Sequence, residues 1–169
     1  MAQPGTAWNF PSVGRFGVTA LPSGWMFVAG FGIRQVVMDP RFVVCNISLM
    51  EDALPEDKTL TEYIEAQCKM ISERHKEVKL AGPQPGVFPG SEEALMLLVR
   101  HKVKEVINML HVQNYVRVGR WIGIVTLTSP EEQLRTVRPD HDAFVKGLRI
   151  LPPPPPPEAV PGMAQGQAV

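Results

Sequence analysis

The segment Met109–Thr128, MLHVQNYVRVGRWIGIVTLT, predicts a β-hairpin around which the rest of the chain can be arranged. Val118 and Gly119 separate two runs rich in β-branched and aromatic residues, and glycine most easily adopts the positive φ of a tight turn. We expect Arg117 to pair with Arg120 across this turn. Because side chains alternate along a strand, this register assigns every residue of the hairpin to one of two faces.

The first face is the predicted core face. It holds one amide and one glycine among apolar side chains: Leu110, Val112, Asn114, Val116, Val118, Trp121, Gly123, Val125 and Leu127. The second face mixes apolar and hydrogen-bonding side chains: His111, Gln113, Tyr115, Arg117, Ile122, Ile124, Thr126 and Thr128. This second face is too apolar to contact only water, because a solvated face of an antiparallel sheet is normally polar.

Two interpretations of the second face remain open. A helix of the same chain covers it, or a partner covers it that is apolar but still carries polar groups. The segment Arg41–Met50 predicts another strand of the same kind, with one apolar face and one mixed face. The combination of one apolar and one mixed face thus occurs on two separate parts of the chain, which argues against chance.

Composition excludes several classes of protein. Lys and Arg total 17, as do Asp and Glu, and this balance gives no electrostatic case for binding nucleic acid or an anionic membrane. Cys45 and Cys68 are too few for a disulfide framework. The N-terminus lacks the basic and apolar regions of a secretory signal, and no stretch approaches the roughly 18 apolar residues of a membrane span. We expect a cytoplasmic protein that does not insert into a membrane.

The clearest helix signal follows the acidic segment after Met50. Thr59 and Glu62 have the spacing of a capping box, in which each residue satisfies a free backbone N–H of the other. Apolar positions then recur on one stripe that includes Gln67 as its one amide. We expect this helix to end near His75.

The remaining pattern indicates an α+β domain, with an antiparallel sheet and flanking helices. Helix propensity favours a helix after Ser91, but we predict a strand over 94–101 and a loop over 102–108, which gives a three-stranded meander with the hairpin. Two short helical segments are predicted near the end, the second beginning at Arg138-Pro139-Asp140. We assign residues 1–151 to this domain and 152–169 to a proline-rich disordered tail.

Motifs for catalysis are not found. The sequence contains no nucleophile elbow, phosphate-binding loop, zinc-protease motif or dinucleotide fingerprint. The four histidines are scattered singly, and we expect His101 and His111 to lie two residues out of line on neighbouring strands. We therefore predict a binding protein and not an enzyme, with no metal site and no cofactor.

The order of these segments resembles the DcrB-like domain family, within the broader PsbP-like α+β fold. The residues that carry the resemblance span roughly 7–151: NISLMED (46–52), LTEYIEAQ (60–67), HVQNYV (111–116), VTLT (125–128) and DAFVKGLRI (142–150). Among the cytoplasmic members of that family, the chain is most similar to the Eag chaperones of type VI secretion. Those proteins are dimers that cradle the N-terminal transmembrane helices of PAAR-containing effectors before export.

The resemblance implies a homodimer whose mixed sheet face holds the transmembrane segments of a secreted effector. Gln113 and Gln67 match glutamines of the family's central strand and helix. The implied client-binding set combines these amides with apolar and hydroxyl side chains: Gln113, Ile122, Ile124, Tyr115, Thr126, Gln67, Ile33 and Met109. Two other functions fit the same pattern, a soluble carrier of a small hydrophobic ligand and a PsbP-like accessory subunit of a membrane complex.

Overall fold

The structure is a computed structural model that describes residues 12–28, 32–35, 44–75, 77–86, 88, 90–103 and 106–152. Within these residues, two antiparallel sheets are combined with two α-helices, which confirms the predicted α+β class. The proline-rich segment from 153 onward and the first eleven residues lie outside the described part, so the prediction of a disordered tail remains a prediction.

The larger sheet has seven strands in the order β3-β4-β5-β9-β8-β7-β6. Its strands are β3 (Trp25–Val28), β4 (Gly32–Gln35), β5 (Asn46–Ala53), β6 (Lys79–Pro85), β7 (Glu93–Val103), β8 (Ile107–Val118) and β9 (Trp121–Pro130). The smaller sheet has three strands in the order β1-β2-β10: β1 (Ser12–Val13), β2 (Phe16–Val18) and β10 (Leu148–Ile150).

The central hairpin forms as predicted, but its register differs. Val118 pairs with Trp121 around the turn Gly119-Arg120, so every partner is shifted by two residues from the predicted pairing of Arg117 with Arg120. Gly119 has a φ of +60°, which agrees with the conformation expected of this glycine. A shift of two residues preserves the side on which each residue lies, because the pleat repeats every two residues. The predicted sorting into two faces is therefore confirmed.

Two boundaries around the meander are corrected. The strand predicted over 94–101 is β7, and it extends to Val103, while β8 already begins at Ile107. Residues 102–103 and 107–108 of the predicted loop are therefore strand. Cross-strand pairing along all of β7 overrides the helix propensity of this segment, since each of its residues has a partner on β8.

Helix α1 (Leu60–Arg74) begins and ends where the sequence indicates. Thr59 accepts a hydrogen bond from the backbone of Glu62, whose carboxylate accepts one from the backbone of Thr59, and His75 is the C-terminal cap. The capping box is therefore confirmed. The buried positions Leu60, Tyr63 and Ile64 face the sheet.

Helix α2 (Leu134–Gly147) is continuous, which corrects the prediction of two short segments. A short 3-10 turn (Glu131–Gln133) precedes it, and Pro139 lies inside the helix and not at the start of a second one. Pro139 removes one backbone donor, but the helix continues because its apolar side packs on the sheet. The buried residues on that side are Val137, His141, Phe144 and Val145.

The first face of the large sheet carries the main core, which α2 and the small sheet cover. Phe16 of β2 packs over Gly123, where an added Cβ would lie 2.6 Å from the ring. This contact explains the glycine in an otherwise apolar face. The amide of Asn114 hydrogen bonds to Nε2 of His141 at 3.1 Å, so the polar member of that face is satisfied inside the core.

Candidate functional site

The second face of the large sheet is divided between a covered part and an exposed part. Helix α1 packs on β6 and β7. A second hydrophobic cluster joins the buried residues of this helix to the sheet: Leu54, Leu60, Tyr63, Ile64, Leu97, Val99, Tyr115 and Ile122. The helix of the same chain therefore covers one half of the mixed face. The first interpretation, cover by a helix of the same chain, applies to this half. The second interpretation, cover by a partner, remains a prediction for the other half.

Two tyrosines, Tyr63 on α1 and Tyr115 on β8, meet where the helix packs on the sheet. The ring centroids of Tyr63 and Tyr115 are 6.3 Å apart in an edge-to-face arrangement. The Tyr63 hydroxyl donates to Asp52 at 2.6 Å, and the Tyr115 hydroxyl donates to the Gln113 amide oxygen at 2.9 Å. Burial raises the pKa of both phenols well above the ordinary value, so both remain neutral donors. Gln67, on the same helix, slightly opposes this rise in the pKa of Tyr63.

The other half of the face, which we call the open half, is formed by β3, β4, β5 and the second part of β9. Strand alternation places nine side chains on it, Met26, Val28, Arg34, Asn46, Ser48, Met50, Ile124, Thr126 and Thr128, with Asp52 at the end of β5 as its limit beside Ile122. Met50 is 60% exposed and Met26 is 42% exposed, which is unusual for large apolar residues on a sheet. Of these side chains, only Ile124 packs against the cluster that α1 forms with the sheet.

A row of uncharged polar groups crosses the open half. Ser48 is the cross-strand partner of Thr126, which in turn is the partner of Gln113. Two hydroxyls and an amide thus lie side by side on three neighbouring strands, between the exposed Met50 and the Asn46–Thr128 pair. Such groups can donate and accept hydrogen bonds without the desolvation cost of a charge.

Three histidines line the edge of the covered half near the end of α1. The Nε2 atoms of His101 and His111 are 2.7 Å apart, and Nδ1 of His111 is 3.0 Å from the Thr128 hydroxyl. The two residues are out of line by two positions, as predicted, but their rings are long enough to meet diagonally. The His75 ring centroid is 5.0 Å from that of His101.

This histidine group does not form a metal site in the described part of the chain, where no three His, Cys, Asp or Glu side chains are arranged to hold a metal. Burial and the neighbouring His101 and His75 lower the pKa of His111 to about 4. His111 is therefore neutral near pH 7. The hydrogen bond between the two Nε2 atoms requires one unprotonated nitrogen, so protonation of both rings would break it.

We expect stability to decrease in mild acid. The pKa of the fully buried His141 is also lowered to about 4, chiefly by burial. Since the unfolded chain takes up protons from about pH 6.5 downward and the folded chain does not, the free energy of unfolding falls as the pH falls from about 6.5 to about 4. For His141 the loss is at most about 3 kcal/mol. Urea denaturation at pH 7 and pH 5 measures it.

The matched control for this prediction is His141→Gln. An amide keeps hydrogen-bonding capacity toward Asn114 but does not titrate, so the variant should lose less stability between pH 7 and pH 5 than the natural protein. An unchanged pH dependence in this variant would contradict the assignment to His141.

The structure distributes the predicted client-binding residues over several environments. Ile124 and Thr126 lie in the open half, and Gln113 lies at its boundary. Tyr115 and Ile122, however, are only 2% and 0% exposed, because α1 covers them. The expectation that they line an accessible groove is corrected on this point.

Two further predicted positions lie away from the open half. Ile33 pairs with Ile47 and is buried in the main core on the opposite face of the sheet. It was assigned to the wrong face because the pairing partner of β4 cannot be read from its own short sequence. Met109 is buried near the start of β8, where it pairs with Pro130 at the end of β9.

The predicted client-binding set misses most members of the open half: Met26, Val28, Arg34, Asn46, Ser48, Met50 and Thr128. The alternation in β5 already placed Ser48 and Met50 on its mixed face. That signal could have identified them, but only with the pairing of β5 to β9, which joins residues far apart in sequence. Met26 and Arg34 depend on the additional pairings of β3 with β4 and of β4 with β5.

The architecture is a PsbP-like fold, as comparison with solved structures shows. LpqN of Mycobacterium tuberculosis, described as involved in cell envelope biogenesis, has a TM-score of 0.63 at 12% identity over 81% of this chain and 83% of its own. PA94 of Pseudomonas aeruginosa, a protein of unknown function and putative regulator, has a TM-score of 0.61 at 16% identity over 84% and 100%. Cyanobacterial PsbP (CyanoP) of Synechocystis sp. PCC 6803 has a TM-score of 0.54 at 15% identity over 86% and 98%.

Comparison of the sequence with protein-family models and with curated proteins gives no match. At 12% to 16% identity, the solved structures show the fold and nothing about function. None of the described helices is long and apolar enough to cross a membrane.

Proposed function

We propose that this protein is a cytoplasmic chaperone that shields the N-terminal transmembrane helices of a PAAR-containing type VI secretion effector before export. The observation that carries the proposal is the open half, where two exposed methionines flank a row of uncharged polar groups. The resemblance of NISLMED, LTEYIEAQ and HVQNYV to the Eag chaperones supplies the class of client.

The side chains of the open half suit an apolar helix. Burial of apolar surface contributes about 25 cal/mol per Å². Met26 and Met50 are unbranched and flexible, so they can adapt to side chains of different shapes. The Ser48–Thr126–Gln113 row offers hydrogen bonds of the kind that polar residues make between helices inside a membrane.

The form of the surface favours a helix over a small hydrophobic ligand. Carriers of small ligands usually enclose most of the ligand in a concave pocket. The open half is instead an exposed sheet surface, on which Met50 is 60% exposed. Four strands spaced by roughly 4.8 Å give a width of about 15 to 20 Å, enough for a helix of about 10 Å diameter.

The length of the open half bears on the oligomeric state. From Asn46 to Asp52 on β5, six residues at about 3.4 Å each extend about 20 Å. A transmembrane helix of about 20 residues is about 30 Å long, so one copy leaves about a third of it uncovered. A homodimer, which presents two such surfaces, would cover the complete helix.

The proposal is tested by co-expression with a candidate client. The tagged chain is produced in bacteria together with the hydrophobic N-terminal region of a PAAR-containing effector, and the soluble complex is purified. We expect the effector region to co-purify, in a complex whose light-scattering mass contains two copies of this 18.7 kDa chain. An effector lacking its hydrophobic segments is the matched control and should not co-purify.

Two results would contradict the proposal. In the first, the effector region is insoluble whether or not this chain is present. In the second, the effector without its hydrophobic segments is captured equally well, which would place recognition elsewhere on both proteins.

A further inference from the structure

The open half carries charges of opposite sign at its two ends, and we propose that they fix the direction in which a client helix lies across it. This inference rests on the proposed function. The helix would lie with its N-terminus at Asp52 and its C-terminus at Arg34, parallel to β9 and antiparallel to β5. The partner is therefore an apolar helix bound in one polarity.

The positions of the two charges follow from the strand pairings. Arg34 pairs with Asn46 at the start of β5, and Asp52 pairs with Ile122 at its end. All four side chains lie on the second face. The two charged residues, both exposed, are thus separated by the full length of the apolar and hydroxyl surface.

Neighbouring charges preserve this difference between the ends. The loop that follows β5 in sequence carries the acids Glu56 and Asp57 and one cation, Lys58, all exposed. Arg117 lies in the same row but is within 3.8 to 3.9 Å of the carboxylates of Glu92 and Glu93, which offset its charge.

Two further regions bear on the difference in charge between the ends: Arg120 near Asp52, and the surroundings of Arg34. Arg120 lies over the ring of Trp121, at 5.5 Å from the ring centroid, and Trp121 belongs to the other face of the sheet. At the Arg34 end, the described neighbours in the same row of the second face are Met26, Asn46, Thr128 and His111. None of these described neighbours is an acid.

An α-helix complements such a surface in only one direction. Its aligned peptide dipoles place roughly half a positive charge at the N-terminus and half a negative charge at the C-terminus. In the proposed direction Asp52 meets the positive end and Arg34 meets the negative end. In the reverse direction both contacts become repulsive.

Disulfide trapping with a synthetic helix tests the direction. The probe is a 16-residue peptide of Leu, Ala and Ser with blocked termini, the same Lys pair at both ends, and one Cys near either end. Met26→Cys reports the Arg34 end, because Met26 pairs with Arg34, and Met50→Cys reports the region next to Asp52. Both reporters replace exposed methionines, and the unmodified protein controls for the native Cys45 and Cys68.

For the peptide with an N-terminal Cys, we expect the yield of disulfide with Met50→Cys to be at least about three times the yield with Met26→Cys. For the peptide with a C-terminal Cys, we expect the inverse ratio. The double variant Asp52→Asn and Arg34→Gln, combined with each reporter, should bring both ratios close to one while the peptide still binds. Asparagine retains an oxygen that can accept the bond from Tyr63.

The outcomes separate this inference from the proposed function. Trapping with equal or inverted ratios in the natural background would overturn the direction but leave the surface as a helix-binding site. Ratios that persist in the double variant would show that other groups set the direction, which also overturns the inference. Failure of both peptides to bind, measured by fluorescence anisotropy, would contradict the direction and the proposed function together.

Discussion

Replacement of Met50 by Asp is expected to abolish capture of the effector's hydrophobic region while the protein stays folded. Met50 is 60% exposed and projects into the open half, so the new carboxylate remains hydrated in the free protein. Once an apolar helix covers it, the carboxylate loses water and gains no partner, which is strongly unfavourable. Circular dichroism and co-purification on the same preparation measure the two effects.

The neighbouring residue provides the control. Leu49 is 3% exposed and points into the main core, so Leu49→Asp places a charge among apolar side chains. Burying this unpaired carboxylate costs several kcal/mol, which approaches the total stability of a typical domain. We therefore expect this variant to be unfolded or insoluble. If Met50→Asp unfolds the protein, or captures the client normally, the open half is not the binding surface.

Replacement of Gly123 by Ala is expected to lower the free energy of unfolding by about 1–3 kcal/mol, because the core at this point has no space for a methyl group. The added Cβ would lie 2.6 Å from two ring atoms of Phe16, well inside van der Waals contact. Phe16 connects the small sheet to the large one, so it must shift or leave its position. Chemical denaturation measures the loss.

A double-mutant cycle with Phe16→Leu identifies the cause. Leucine is smaller than the phenylalanine ring, so the effect of Gly123→Ala should be smaller in the Phe16→Leu background than in the natural one. Client capture should not change in either single variant that remains folded, since Gly123 lies on the face opposite the open half. Purely additive losses of stability would mean that the ring does not limit the space at Gly123.

Local patterns were sufficient to predict several elements of this fold. The Thr59–Glu62 capping box fixes the start of α1, and alternation assigns the residues of β8 and β9 to the correct faces. The face assignment held although the register was wrong by two residues, because an even shift leaves each side chain on its side. These predictions depend only on residues close together in sequence.

Features that depend on distant parts of the chain could not be predicted. The position of α1 over β6 and β7 leaves half of the face exposed, and no periodicity within α1 indicates which half it covers. Ile33 was placed on the wrong face for the same reason. The continuity of α2 through Pro139 depends on packing against the sheet, which overrides the local preference for a helix boundary at proline.

Alternation along β5 has a consequence for how this protein can change over evolutionary time. Ile47 and Leu49 belong to the core, whereas the intervening Ser48 and Met50 face outward on the same strand. Substitutions at the outward-facing residues can adapt the surface to a different client without disturbing the core residues between them. Homologues that serve different effectors should therefore diverge at every second residue of β5 and keep the residues between them apolar.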